Sequence, residues 1–272
     1  MAKLQEHKVI VNTEGMRLYL PWDETDNVFI GTKIEIGELG KSGTVQKYPL
    51  GTKVVYGERV FRYAKLGATA QTEGKLLQMP VPEANHGNRV LDARAIGATA
   101  INITPVTTNI TKDQYAGGYF HVNDVDGEGQ MSRVKSHPAI TAAAAGLITL
   151  YDPLVKATTA NSEGSLTASP FSALIIHPSP PTARVMGVPI KDIAANEFFW
   201  LLVGGPVAVL TQGTLVINEG AVASLTVDGA VAPFALVEGA PNTSAGQYVV
   251  GWVMRVHADT EYSLIYLTLE DS

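Results

Sequence analysis

Cysteine is missing from all 272 residues. Its absence excludes disulfides, a thiol nucleophile and thiolate metal sites together, and it fits synthesis in a reducing cytoplasm. Charge is also scarce: charged residues make up 17% of the chain, against roughly 25% in an average soluble domain. A surface so poor in charge suits a protein whose exterior is partly covered by neighbouring protein, as in tightly packed oligomers and shells. The charge that is present sums to −6, and neither end carries a run of Lys or Arg. The electrostatic footprint for phosphate backbones is therefore lacking, and direct binding of nucleic acid is not expected. No stretch approaches 18 uninterrupted apolar residues, and the first eight, Met1 to Lys8, are polar with no apolar signal core. Neither a membrane span nor a standard secretion signal is expected. Helix signals are few; Thr141 to Ala145 has the composition for a single turn, which Gly146 ends.

What the chain does have is β texture. From Val185 to Leu269 short runs rich in Val, Ile, Thr and aromatics alternate with turn residues. The runs are Val185 to Ile190, Phe198 to Val203, Val207 to Leu210, Leu215 to Ile217, Val222 to Val227, Val231 to Val237, Tyr248 to His257 and Tyr262 to Leu269. Gly204-Gly205-Pro206, Gln212-Gly213, Asn218-Glu219-Gly220 and Asp228-Gly229 read as separators. Short strands at such spacing predict a sandwich or barrel. Upstream, Phe61 to Gly67 and Gly74 to Gln78 read as strand, turn, strand. Gly118 to Val122 and Gln130 to Lys135 flank a hairpin with a long tip. The cluster Pro178-Ser179-Pro180-Pro181 reads as a stiff connector, since consecutive prolines cannot enter a central ladder. The expected organisation is all-β: two small β-barrel or β-sandwich domains, at 61–177 and 182–272, preceded by an extended N-terminal arm at 1–60. The short β pieces of that arm could equally be the first strands of an ordinary β domain.

Chemical motifs are few and incomplete. Asp124, Asp126 and Glu128, alternating around Gly127 and Gly129, could offer several oxygens to Ca²⁺. In an EF-hand register, however, Lys135 falls where a bidentate Glu is required. Gly40-Lys41-Ser42 has the ending of a phosphate-binding loop, but Glu35 stands where its first glycine should be. The histidines His7, His86, His121, His137, His177 and His257 show no metal-binding spacing. No Gly-x-Ser-x-Gly elbow occurs either. No catalytic, cofactor-binding or metal residue is assigned, and an enzyme is not expected. Phe198-Phe199-Trp200 on a strand would place Phe198 and Trp200 on one face and Phe199 on the other. One face must be core; the second is either a subunit interface or a second layer of the same domain.

Phe61 to Thr69 with Gly74 to Gln78, Gln114 to Tyr119, Asn123-Asp124 with Gly127-Glu128-Gly129, and Lys135 to Ala139 resemble head structural proteins of tailed bacteriophages. Gly187-Val188-Pro189, Gly204 to Leu210 and Val250-Gly251-Trp252 resemble capsid decoration, or cement, proteins. The resemblance implies a virion structural protein on the capsid exterior, bound to the major capsid protein, often as a homotrimer, with no cofactor and no membrane partner. It further implies that the N-terminal arm and one end of the β body face the shell. A virion-displayed carbohydrate-binding or head-fibre protein for host attachment is the alternative. A divalent-ion-dependent hydrolase, resting on the Asp124 to Glu128 loop alone, is a third.

Overall fold

A computed structural model describes residues 9–11, 17–19, 36–234 and 249–270. Among them there is no α-helix; nineteen strands and two short 3-10 turns make up the regular structure. In chain order the first strands are Val9–Val11 (β1), Arg17–Tyr19 (β2), Ser42–Gly43 (β3), Lys53–Tyr56 (β4), Arg59–Lys65 (β5), Leu77–Gln78 (β6) and Arg89–Val90 (β7). Then come Ala100–Ile103 (β8), Tyr119–Asp124 (β9), Met131–Ser136 (β10), Gly146–Leu150 (β11), Glu163–Thr167 (β12) and Ile175–Ile176 (β13). The last are Val185–Pro189 (β14), Phe198–Leu210 (β15), Gly220–Ala223 (β16), Val231–Pro233 (β17), Val249–Arg255 (β18) and Tyr262–Thr268 (β19). The expected all-β class is what these strands form.

They fall into two compact units. One is built from the chain up to Pro80 and again from Phe171, and the other is the intervening Val81–Pro170. This division differs from the expected domains at 61–177 and 182–272. The reason is a long-range pairing with no local signal: β5 runs antiparallel beside the first half of β15, from Phe198↔Lys65 to Gly204↔Val60. The proline cluster lies within the first unit. β13 and β14 both pair with β6, so Pro178 to Pro181 turn the chain between two neighbours of one strand. Nor do β5 and β6 pair with each other, although strand, turn, strand was the expectation; β5 pairs with β4 and β15. The described part of the 1–60 segment joins the sheet as well. β1, β2 and β4 extend it from the edge of β5, and β3 pairs with the start of β15. The rest of the expected arm lies outside the described residues.

β15 is the centre of the first unit. Its first half is flanked by β5 and its second half by β19, and the glycines between let it change partner. Alternation then buries both faces. Trp200, Leu202 and Val209 enter a core with Phe61, Tyr63, Val188, Val253 and Ile265. Phe199, Leu201 and Val203 enter a second core with Val60, Leu66, Leu77 and Leu174. The second half of β15 continues through β19, β18, β16 and β17. A parallel bridge Thr211↔Val231 brings β17 back beside the end of β15, so this part approaches a closed barrel.

The second unit is a six-stranded antiparallel sheet in the order β7, β12, β9, β10, β11, β8. The bridge Leu91↔Ile103 joins its two ends. Burial follows the two-residue period of a half-covered strand, as in β8 and β12, where every second residue is buried. Phe120, Ile101, Ile103, Val134, Ile148 and Leu166 are among the side chains that fill the interior.

Candidate interaction surfaces

Asp124, Asp126 and Glu128 lie at the tip between β9 and β10, as the hairpin reading expects. Their oxygens do not converge. The Asp124 carboxylate accepts from the neighbouring Val125 N–H at 2.9 Å. Two main-chain carbonyls of the tip are engaged elsewhere: that of Asp126 accepts from the Ser162 hydroxyl at 2.6 Å, and that of Glu128 from the Lys156 ammonium at 2.9 Å. Among the described residues no group of three or more His, Asp or Glu side chains is placed to hold a metal ion.

At the second motif, Lys41 and Lys47 both bond Glu38, at 2.5 and 3.1 Å. These bonds, the Lys41 bond foremost, hold the Glu38 carboxyl below its ordinary value. Ser42 donates to Glu197 at 2.6 Å. The Lys41 ammonium is thus engaged with Glu38 and the Ser42 hydroxyl with Glu197, so neither is directed at a phosphate in this arrangement.

The histidines are dispersed. His7 lies outside the described residues. His86 and His137 sandwich Tyr115 inside the second unit, with ring centroids 5.6 and 6.1 Å from it. His86 Nδ1 and the Tyr115 hydroxyl are 2.5 Å apart, and His86 Nε2 is 3.0 Å from the Thr108 carbonyl. His137 Nε2 accepts from the Tyr115 N–H at 3.0 Å, while its Nδ1 donates to the Pro138 carbonyl at 2.8 Å. Burial, reinforced by the charge of Glu83, pushes the Tyr115 hydroxyl up to about 12. This is a satisfied polar core with ring nitrogens committed largely to backbone. His121 faces outward on β9, and His257 lies 3.9 Å from Glu261. His177 is buried with neither ring nitrogen partnered among the described residues.

The aromatic run on β15 resolves in favour of two layers within one unit. Trp200 packs with Tyr48 and Tyr63 on one side, at centroid distances of 5.3 and 5.0 Å, while Phe199 lies in the opposite core.

Two outward faces remain. In the first unit, the outer side of β16, β18, β19 and β15 is strongly apolar. Register aligns Gly220, Trp252, Tyr266 and Pro206 in one row across four strands. Trp252 stacks on Tyr266 at 5.2 Å with planes 13° apart, yet Trp252 is still 39% exposed. Val249 and Tyr262 on the same strands are 44% and 42% exposed, and Phe234 beside Gly220 is 38% exposed. Arg255, paired with Leu264 in the next row, is the charged residue of this face. Sequence reading missed it, because a strand whose outer positions are apolar looks like a strand buried on both sides.

In the second unit the outer face of the sheet is polar and aromatic. Thr167, Tyr119 and Arg133 lie side by side in register, and the Tyr151 N–H bonds the Arg133 carbonyl, adding a fourth member to the row. The Arg133 guanidinium carbon is 5.7 Å and the Lys135 ammonium 5.8 Å from the Tyr151 ring centre.

Fold and surfaces together define an all-β protein of two antiparallel barrel-like units. No family model, curated protein or solved structure matches the chain.

Proposed function

We propose that this chain is a virion structural protein of the capsid decoration type. It docks on the outer surface of an icosahedral phage head, against the major capsid protein, and stabilises contacts between capsomers as a homotrimer. The observation that supports this reading is the apolar outer face carried by Trp252, Tyr266, Val249 and Tyr262 on a rigid sheet. Exposed apolar patches of this kind mark protein contacts, and Trp and Tyr are the side chains that most often anchor them. Scarcity of charge agrees with an exterior that meets protein in place of water. A lattice offers many copies of the docking site, so a modest single contact is multiplied by avidity.

The test is co-sedimentation of the purified protein with empty heads of the virus that encodes it. Wild-type protein pellets with the heads, and Trp252→Glu, which leaves the inward positions of β18 unchanged, loses about 2 kcal/mol or more of binding, roughly thirtyfold in affinity. Wild-type protein that stays in the supernatant, or a Trp252→Glu variant that binds as well as wild type, sinks the assignment.

A further inference from the structure

We propose that the outer face of β9 to β11 binds an anionic polysaccharide, with Tyr119 and Tyr151 against sugar rings and Arg133 and Lys135 on its carboxylates. Arg133 and Lys135 are alternate residues of β10 and so project from the same face, about 7 Å apart along the strand. Both cations approach the ring of Tyr151. This part of the face thus sets two cations beside one aromatic ring, a setting that suits an anionic group carried on a ring with an apolar side.

Tyr119 flanks Arg133 on the opposite side in register. Tyr119 and Tyr151 are therefore separated by two strand spacings, roughly 10 Å, which is the scale of a disaccharide. The same face carries Thr167 beside Tyr119 and His121 beside Met131, groups that can exchange hydrogen bonds with hydroxyls. The frame is firm. Arg133 is fixed by donating to the Gly117 carbonyl at 2.9 Å, and the neighbouring Asp152 carboxylate accepts from its backbone N–H at 3.4 Å.

The observations favour a glycan over the other anionic polymers. An acidic peptide that binds a sheet commonly adds a strand to an open edge, but here the bridge Leu91↔Ile103 joins the sheet's two ends. Single-stranded nucleic acid carries a phosphate about every 3.4 Å of axis in its helical form, too dense for one pair of cations on a chain whose net charge is −6. A polysaccharide with sparse carboxylates matches both the charge count and the aromatic spacing.

Titration calorimetry of the full-length protein tests this with four probes: a hyaluronan decasaccharide, which carries one carboxylate per disaccharide, the neutral maltodecaose, poly-L-glutamate and a single-stranded DNA. The hyaluronan decasaccharide is expected to bind, more tightly at low than at near-physiological salt, and the other three to bind at least about tenfold more weakly. Tyr151→Ala is expected to weaken hyaluronan binding roughly tenfold, Tyr151→Phe to keep it, and Lys135→Gln, an exposed substitution that leaves the barrel intact, to weaken it about threefold. Lys191→Gln, in the other unit, is the neutral control. No heat with the hyaluronan decasaccharide, equal affinity for maltodecaose, poly-L-glutamate or DNA, or wild-type affinity in both Lys135→Gln and Tyr151→Ala overturns the proposal.

Discussion

His177 differs from the other two buried histidines in what its ring nitrogens meet. His86 and His137 have both nitrogens within hydrogen-bond distance of a partner. His177 is 1% exposed with neither nitrogen partnered among the described residues. Its backbone is nonetheless fixed, donating to the Leu76 carbonyl and accepting from Gly229, both at 2.9 Å. Burial pulls the His177 imidazole below its ordinary value, and the nearby Asp228 carboxylate only partly opposes this. The sign of the linkage follows. The unfolded chain takes up a proton at about pH 6.5, the folded chain only at lower pH, so between the two values unfolding binds a proton. Stability from this group is fully present above about pH 6.5 and declines as pH falls toward the folded value. Urea midpoints measured from about pH 7.5 down to about pH 5.5 should fall in the wild type, and more gently in His177→Leu, which fills the volume without a titrating group. Identical slopes in the two proteins would show that another group controls the loss.

Glycine position decides how the elements read. Gly204-Gly205-Pro206 looks like a turn, but it lies within the 13 residues of β15. Gly205 has φ +92°, and a Cβ there would lie 2.5 Å from the Glu58 carbonyl oxygen. The glycines are needed for backbone to pass close to backbone where β15 leaves β5 for β19, and such a glycine is indistinguishable in sequence from one that turns the chain. Gly205→Ala is accordingly expected to cost roughly 2–4 kcal/mol in urea unfolding. Gly37→Ala, where the added Cβ meets nothing within 4 Å, should change little. If the two behave alike, the crossing on β15 is not strained. Strands bounded by ordinary turns were legible: the β9 and β10 hairpin, β14, β18 and β19 fall close to their expected limits. Leu215 to Ile217 looks equally β-like, yet it forms no strand. Thr141 to Ala145 forms a turn and not a right-handed helical turn, since Ala143 takes the left-handed region at φ 60° against its own helical preference. The candidate surfaces were less legible than the strands, since cross-strand register, which sets Trp252 beside Tyr266 and Arg133 beside Tyr151, is a property of pairing and not of any one segment.

At the scale of the whole chain, the proline cluster and the contacts disagree on where a boundary lies, and excision can decide between them. If the boundary lay at Pro178 to Pro181, residues 182–272 would fold alone. In the structure those residues contain β15 without β5, and both cores that β15 serves would lose partners: Phe61 and Tyr63 on one face, Leu66 and Leu77 on the other. Removing such large buried side chains costs several kcal/mol each, on the order of the whole stability of a domain. A fragment of 182–272 should therefore show a collapsed amide spectrum and no cooperative unfolding. Val81–Pro170 keeps all six strands of its sheet and its whole interior within one continuous segment, so it should give a dispersed spectrum by itself. Joining Pro80 to Phe171 through a short Gly-Ser linker should likewise leave the other unit folded, since β6 and β13 pair at Gln78↔Ile175 and bring the two cut ends together. A cooperative fold in the 182–272 fragment would restore the boundary at the prolines. An unfolded Val81–Pro170 fragment would show that its barrel depends on the rest of the chain. With both fragments behaving as expected, the protein is one β unit carrying another as an insertion, and the apolar face and the cationic aromatic face become separable by deletion.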